Sequence, residues 1–160
     1  MANKLQYVSE LADQTAHKVT NSTAEWKRYL SASSRLFKYP FDEQLLIYAQ
    51  RPDATACASM ELWNNAMRRW VKPRSKGIAL IRKDRRGRPS LEYVFDVSDT
   101  RPVRGAKTPY LWEMGENHHA AVLEVLERRY GPVGDGDIGE QLMELAARAV
   151  NEVYRDSLTD

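Results

Sequence analysis

Between Arg68 and Arg88 the chain carries Arg68, Arg69, Lys72, Arg74, Lys76, Arg82, Lys83, Arg85, Arg86 and Arg88, with Asp84 as the single acid among them. Lys and Arg at this density suit a polyanion, because neutralising phosphates releases condensed counterions whatever the base sequence. Trp63 and Trp70 flank or fall within the run, and Tyr39 and Tyr48 precede it. Stacking a base on such a ring contributes about 1–3 kcal/mol. These ten cations and Trp70 are the candidate nucleic-acid-binding residues. The plainer alternative is a solvated, idle charge run with the aromatic rings in the core, and Trp63 reads more as a core anchor than as a contact.

Other chemistry-bearing types do not assemble. His118 and His119 are adjacent, so on a helix they point about 100° apart, and no HExxH or CxxC spacing accompanies them. Asp96 and Asp99 suggest a pair for a hard cation or for acid catalysis, but Asp and Ser in Asp96-Val97-Ser98-Asp99 also end strands and cap turns. Asp135-Gly136-Asp137 lacks the remaining ligands of a calcium loop and reads as a turn plus a helix cap. Neither glycine-rich stretch leads into Lys-Ser or Lys-Thr, so no P-loop is present. No nucleophile, base and orienting group can be put together. Cys57, the one cysteine, reads as a small buried apolar residue of a reducing compartment. The expectation is a non-catalytic protein with no cofactor and no metal.

The elements that must position the basic run follow from periodicity. The chain has 160 residues, 42% hydrophobic and 29% charged, which is enough for one domain with or without a helical appendage. Residues 1–20 fit a helix. Ser22-Thr23-Ala24-Glu25 forms a capping box for a helix over 23–36, whose stripe Trp26, Tyr29, Leu30, Ser33 and Phe37 should be buried. After Pro40, Asp42 caps a helix over 43–50. Thr55 to Ala58 reads as a short strand, and Ser59 as the cap of a third helix holding Leu62, Trp63, Ala66 and Met67. Trp70-Val71, Ile78 to Ile81 and Leu91 to Val97 then read as strands. The last two form a hairpin over 78–97 with a basic tip at Arg85-Arg86-Gly87-Arg88. A polar loop over 98–109 and helices over 117–130 and 138–158 complete an α+β chain: N-terminal helices, a small antiparallel sheet with a basic hairpin, and C-terminal helices.

Net charge is only +2, but acids dominate from Glu113 onward. Such separation suits a polyanion-binding face with an acidic region elsewhere. The first residues lack the pattern of a signal peptide, and no apolar run approaches the roughly 20 residues that span a bilayer. A cytoplasmic protein without membrane contact is the expectation.

Phe41-Asp42-Glu43-Gln44-Leu45-Leu46-Ile47-Tyr48-Ala49-Gln50-Arg51-Pro52-Asp53-Ala54-Thr55, then Trp63, Arg69-Trp70-Val71-Lys72 and Lys76-Gly77-Ile78-Ala79-Leu80 together resemble the N-terminal domain of ArdC-type antirestriction proteins. That domain also opens large proteins of conjugative and other mobile elements. The likeness covers roughly residues 26–99. It implies a module that binds single-stranded DNA and handles DNA during transfer. The zinc-peptidase-like domain that follows in such proteins has no HExxH counterpart here. Where the family often has glycine, before the Lys-Gly pair and before the second Trp, this chain has Arg74 and Arg68, and Pro73 is inserted. The expected organisation is an N-terminal arm over 1–22, a DNA-binding core over 23–110 and a helical extension over 111–160. A protein-interaction module of a conjugative-transfer protein is the alternative, with other domains or proteins of that element as partners.

Overall fold

The computed structural model describes residues 3–111 and 113–156; the far end of the helix expected over 138–158 lies outside the described residues. The chain divides into two compact units, Met1–Trp112 and Glu113–Asp160.

In the first unit, α1 (Lys4–Thr20) starts at Asn3, whose side chain accepts from the Leu5 N–H at 3.3 Å. α2 (Thr23–Arg35) starts at Ser22, whose Oγ accepts from the Glu25 N–H at 3.4 Å. α3 (Phe41–Gln50) begins earlier than expected. Pro40, with φ fixed near the helical value, precedes it, and Asp42 and Glu43 lie in its positive first turn instead of capping it. α3 packs against α1, α2 and the sheet, so Leu45, Leu46, Ile47 and Tyr48 are consecutively buried. α1 packs on α3 and on the sheet, with Val8 in the core, so it belongs to this unit. The buried stripe of α2 differs from the expected one. Tyr29 is buried as expected, but Trp26, Leu30 and Phe37 are exposed and Ala32 and Leu36 are buried in their place. Tyr29 fixes this rotation by meeting Tyr48 and Phe41 edge-on, at 5.6 and 5.8 Å between ring centres.

Two antiparallel sheets follow. The larger has the order β1 (Cys57–Ser59), β4 (Pro89–Asp96), β3 (Ile78–Lys83). In the β3–β4 hairpin Ile78 lies opposite Val94 and Lys83 opposite Pro89. The smaller joins β2 (Arg69–Val71) to β5 (Thr100–Pro102), with Trp70 opposite Arg101. β5 falls in the stretch expected as a polar loop. The segment after Ser59 is not an α-helix but a π-turn, Leu62–Ala66, closed by the Met67 N–H donating to the Leu62 carbonyl at 3.1 Å. Trp63 on this turn is 2% exposed, and its Nε1 donates to the Phe95 carbonyl at 2.8 Å. It is a core anchor.

The second unit pairs α4 (Glu116–Tyr130) with α5 (Ile138–Asp156). Gly131, at φ 89°, ends α4. Arg148 of α5 donates to the carbonyls of Tyr130, Gly131 and Pro132, satisfying the end of α4. Asp137 Oδ1 accepts from the Glu140 N–H at 2.9 Å, which caps α5. Among the described residues no helix is long and apolar enough to cross a membrane.

Candidate nucleic-acid interface

The basic run is one stretch of sequence but three places in the fold. Arg68, Arg69, Trp70, Lys72, Arg74 and Lys76 belong to β2 and the turn after it. Arg82 and Lys83 end β3. Arg85, Arg86 and Arg88 form the hairpin tip.

The first place is the densest. β5 and the loop behind it bring Arg101, Arg104 and Lys107 beside β2, so residues 68–76 and 100–107 present eight cations and no carboxylate. Seven of the eight are exposed, and Arg69 is half-buried, its Nε donating to Thr100 Oγ1 at 2.8 Å. Trp70 is 51% exposed. Directly opposed residues of an antiparallel pair project from the same face, so the indole and the Arg101 side chain share one. Trp70 is therefore a surface ring that shares its face with Arg101, an arrangement suited to stacking beside a phosphate.

The local backbone is held from several sides. The Lys72 N–H donates to the Asp99 carbonyl at 2.8 Å, and Lys72 Nζ donates to the Ser98 carbonyl at 2.8 Å. The Ser75 N–H returns to the Lys72 carbonyl, closing a turn with Pro73 and Arg74 at its corners. The Val103 N–H donates to the Arg68 carbonyl at 3.2 Å, and the Lys107 N–H to the Met67 carbonyl at 2.9 Å. Arg74 has φ 67° and Arg68 φ 51°, the two non-glycine residues with positive φ among the described residues. A side chain in that region costs on the order of 1 kcal/mol, and such strain concentrates at functional sites. Both residues bracketing Trp70 are thus arginines where the backbone favours glycine.

The other cations are differently placed. Arg82 forks onto Glu43 at 2.6 and 2.9 Å and reaches Glu92 at 3.0 Å. Glu43 is 6% exposed, so this guanidinium neutralises a buried carboxylate, and its bond to Glu43 raises its pKa above the ordinary range. At the tip Asp84 Oδ1 accepts from the N–H groups of Arg86 and Arg88 and Oδ2 pairs with the Arg88 side chain at 3.0 Å, while Gly87 supplies the positive φ the turn needs. Lys83, Arg85 and Arg86 are exposed there. Tyr48 is buried and Tyr39 half-buried, so neither offers an open ring face of the kind Trp70 does.

Asp96 and Asp99 hold the ladder in place. Asp96 is 2% exposed. Its Oδ1 accepts from the N–H groups of Thr55 and Ala56 at 2.7 and 3.0 Å, and its Oδ2 from Ser98 N and Oγ at 2.9 and 2.6 Å. Burial opposes its charge, yet the hydrogen bonds from Ser98, Thr55 and Ala56 outweigh burial and hold its pKa below the usual value. Asp99 pairs with Arg51 at 2.9 Å. Both carboxylates are engaged in fixing the Val97–Asp99 turn that leads into β5. Among the described residues no group of three or more His, Cys, Asp or Glu side chains is placed to hold a metal ion.

Arg101, Arg104 and Lys107 are the members of this patch that the charge run does not reveal. Their signal in the sequence is a cationic spacing of three in an acid-free stretch around Pro102 and Gly105. No protein-family model, curated protein or solved structure matches the chain, so the geometry of the patch carries the functional reading.

Proposed function

We propose that the first unit is a non-catalytic module that binds single-stranded DNA across the β2–β5 ladder. The observation that carries this reading is the exposed Trp70 set opposite Arg101 within two paired stretches, 68–76 and 100–107, that hold eight cations and no carboxylate. Phosphates neutralise the cations and a base stacks on the indole. A paired duplex hides its ring faces within the stack, so a stacking platform favours single strands. The strained arginines at 68 and 74 support the same reading, because their charge is kept where glycine would relieve the backbone. The resemblance of residues 26–99 to the N-terminal domain of ArdC-type antirestriction proteins supports a place in a mobile-element protein that handles transferred DNA.

Fluorescence anisotropy with labelled single- and double-stranded oligonucleotides over a salt series tests the proposal. The expected result is tighter binding of single strands, weakening steeply as salt rises. Absence of binding at about 50 mM salt, where phosphate contacts are strong, would refute it. A second reading concerns residues 113–156, where Met143, Val150, Val153 and Tyr154 are exposed on α5. That stripe favours docking of another domain or protein of the same element, and it requires partner capture that persists when the ladder cations are removed.

A further inference from the structure

The ladder leads into a groove. Met67, just before β2, and Pro109 and Tyr110, just after the loop behind β5, line one side of a cavity of about 290 Å³. Phe37, Tyr39 and Leu62 line the other parts. The bond from the Lys107 N–H to the Met67 carbonyl ties the groove wall to the ladder, with Arg68 following Met67 and Lys107 two residues before Pro109 in the chain. Three of its walls are apolar or aromatic groups left open to solvent: Tyr110 is 79%, Phe37 56% and Leu62 46% exposed.

The floor is fixed and uncharged. Tyr39 Oη donates to the Cys57 carbonyl at 2.8 Å. Burial, then the nearby Asp96 carboxylate, push the Cys57 thiol up to about 12, so it carries no charge at neutral pH. Arg35, at one side, is held on the backbone carbonyls of Ala54, Ser31 and Pro52. Among the described residues no carboxylate lines the groove, whereas Lys38 and Arg35 do. A planar ring attached to a phosphate chain would find aromatic walls, an uncharged floor and the cations Lys38 and Arg35 in the lining. The volume lies at the small end of ligand sites, roughly 300–1,000 Å³, and fits one heterocycle and not a run of stacked bases.

We propose that this groove receives one unstacked base from the single strand held on the β2–β5 ladder, with Phe37 and Tyr110 as its stacking partners. The inference rests on the ladder reading, and it explains a preference for single strands independently of Trp70, since a paired base cannot leave its stack without losing its partner.

The test compares labelled oligothymidine with an abasic deoxyribose-phosphate oligomer of equal length, titrated into the full chain, the Phe37→Ala/Tyr110→Ala variant and the Trp70→Ala variant. Both groove substitutions are at exposed positions, and an unchanged urea midpoint verifies folding. Oligothymidine is expected to bind the unaltered chain about tenfold or more tighter than the abasic oligomer. The groove variant should lose part of that ratio while binding the abasic oligomer as before, and Trp70→Ala should leave a residual ratio. Photocrosslinking of an iodouracil-substituted strand should mark Tyr110 or Phe37. If the groove variant keeps the whole ratio, or Trp70→Ala abolishes it, the groove proposal fails and the ladder stands. Failure of both oligomers to bind removes the ladder reading and the groove with it.

Discussion

Replacing Arg68 and Arg74 together by glycine separates the charge of the ladder from its architecture. Both residues hold positive φ, at 51° and 67°, where a Cβ is penalised by on the order of 1 kcal/mol per residue. Glycine relieves that strain, while its looser unfolded chain returns about 0.4–1 kcal/mol per site. The two effects nearly cancel, so the double variant should unfold in urea within about 1 kcal/mol of the unaltered chain, on the stable side if anywhere. Binding responds differently. Each phosphate contact to a single strand contributes about 0.7 to the slope of log affinity against log salt, so two lost contacts flatten the slope by about 1.4. Between about 50 and 200 mM salt, the unaltered chain should therefore lose about sevenfold more affinity than the variant does. Anisotropy titrations at four or more salt concentrations, alongside urea melts of the same samples, measure both quantities. A variant that is clearly less stable would mean the arginines hold the loop together. An unchanged salt slope would mean they do not meet phosphate. Either result refutes the argument from strain to function.

Three further outcomes are expected. Arg101, Arg104 and Lys107 changed to Ala should reduce the salt slope by about 2, and more than Arg85, Arg86 and Arg88 changed to Ala, because Asp84 already neutralises Arg88 at the tip; equal reductions would place the tip on the strand as well. Asp96→Ala should destabilise the first unit by about 3 kcal/mol in urea unfolding, since the N–H groups of Thr55, Ala56 and Ser98 lose their acceptor. The folded-state pKa of Asp96 lies below its unfolded value, so its stabilisation is present above about pH 4 and fades as pH falls through the lower, folded value; a pH series in which Asp96→Ala and the unaltered chain lose stability in parallel below pH 4 would contradict this. Arg82→Met should destabilise by about 2–3 kcal/mol by stranding Glu43, and Glu43→Gln in the same chain should recover part of the loss; an additive double variant would show the pair to be idle.

Much of the fold was legible because local chemistry and burial agree in it. Ser22 is a helix cap on sequence grounds and in space, and Asp84 with Gly87 makes the hairpin tip from residues that belong in turns. The departures arise where a distant neighbour decides. Periodicity places Trp26, Leu30 and Phe37 on one stripe, but it cannot say which stripe faces α3, and the edge-on packing of Tyr29 against Tyr48 and Phe41 rotates α2 toward Ala32 and Leu36. The turn after Ser59 widens to the π form for a similar reason. On this wider turn the Trp63 Nε1 meets the Phe95 carbonyl on β4, a partner 32 residues away that periodicity does not reveal.

The candidate site was half legible for a different reason. A charge run shows how many cations a stretch holds, but their grouping depends on register, and register is a property of two strands. β2 and β5 are each three residues long, below the length at which alternation can be read, and Thr100-Arg101-Pro102 carries a proline that argues against a strand unless it lies at an edge. The pairing of Trp70 with Arg101 puts an indole and a guanidinium on one face, and the fork from Arg82 to Glu43 removes a cation that the charge run includes. Arg68 and Arg74 carry the opposite lesson. Their positions are ones where a local rule asks for glycine, and the sequence breaks that rule twice, on either side of the one open tryptophan of the ladder. A folded chain concentrates such violations where something other than folding sets the residue, and here the residue chosen both times is the side chain best shaped to hold a phosphate.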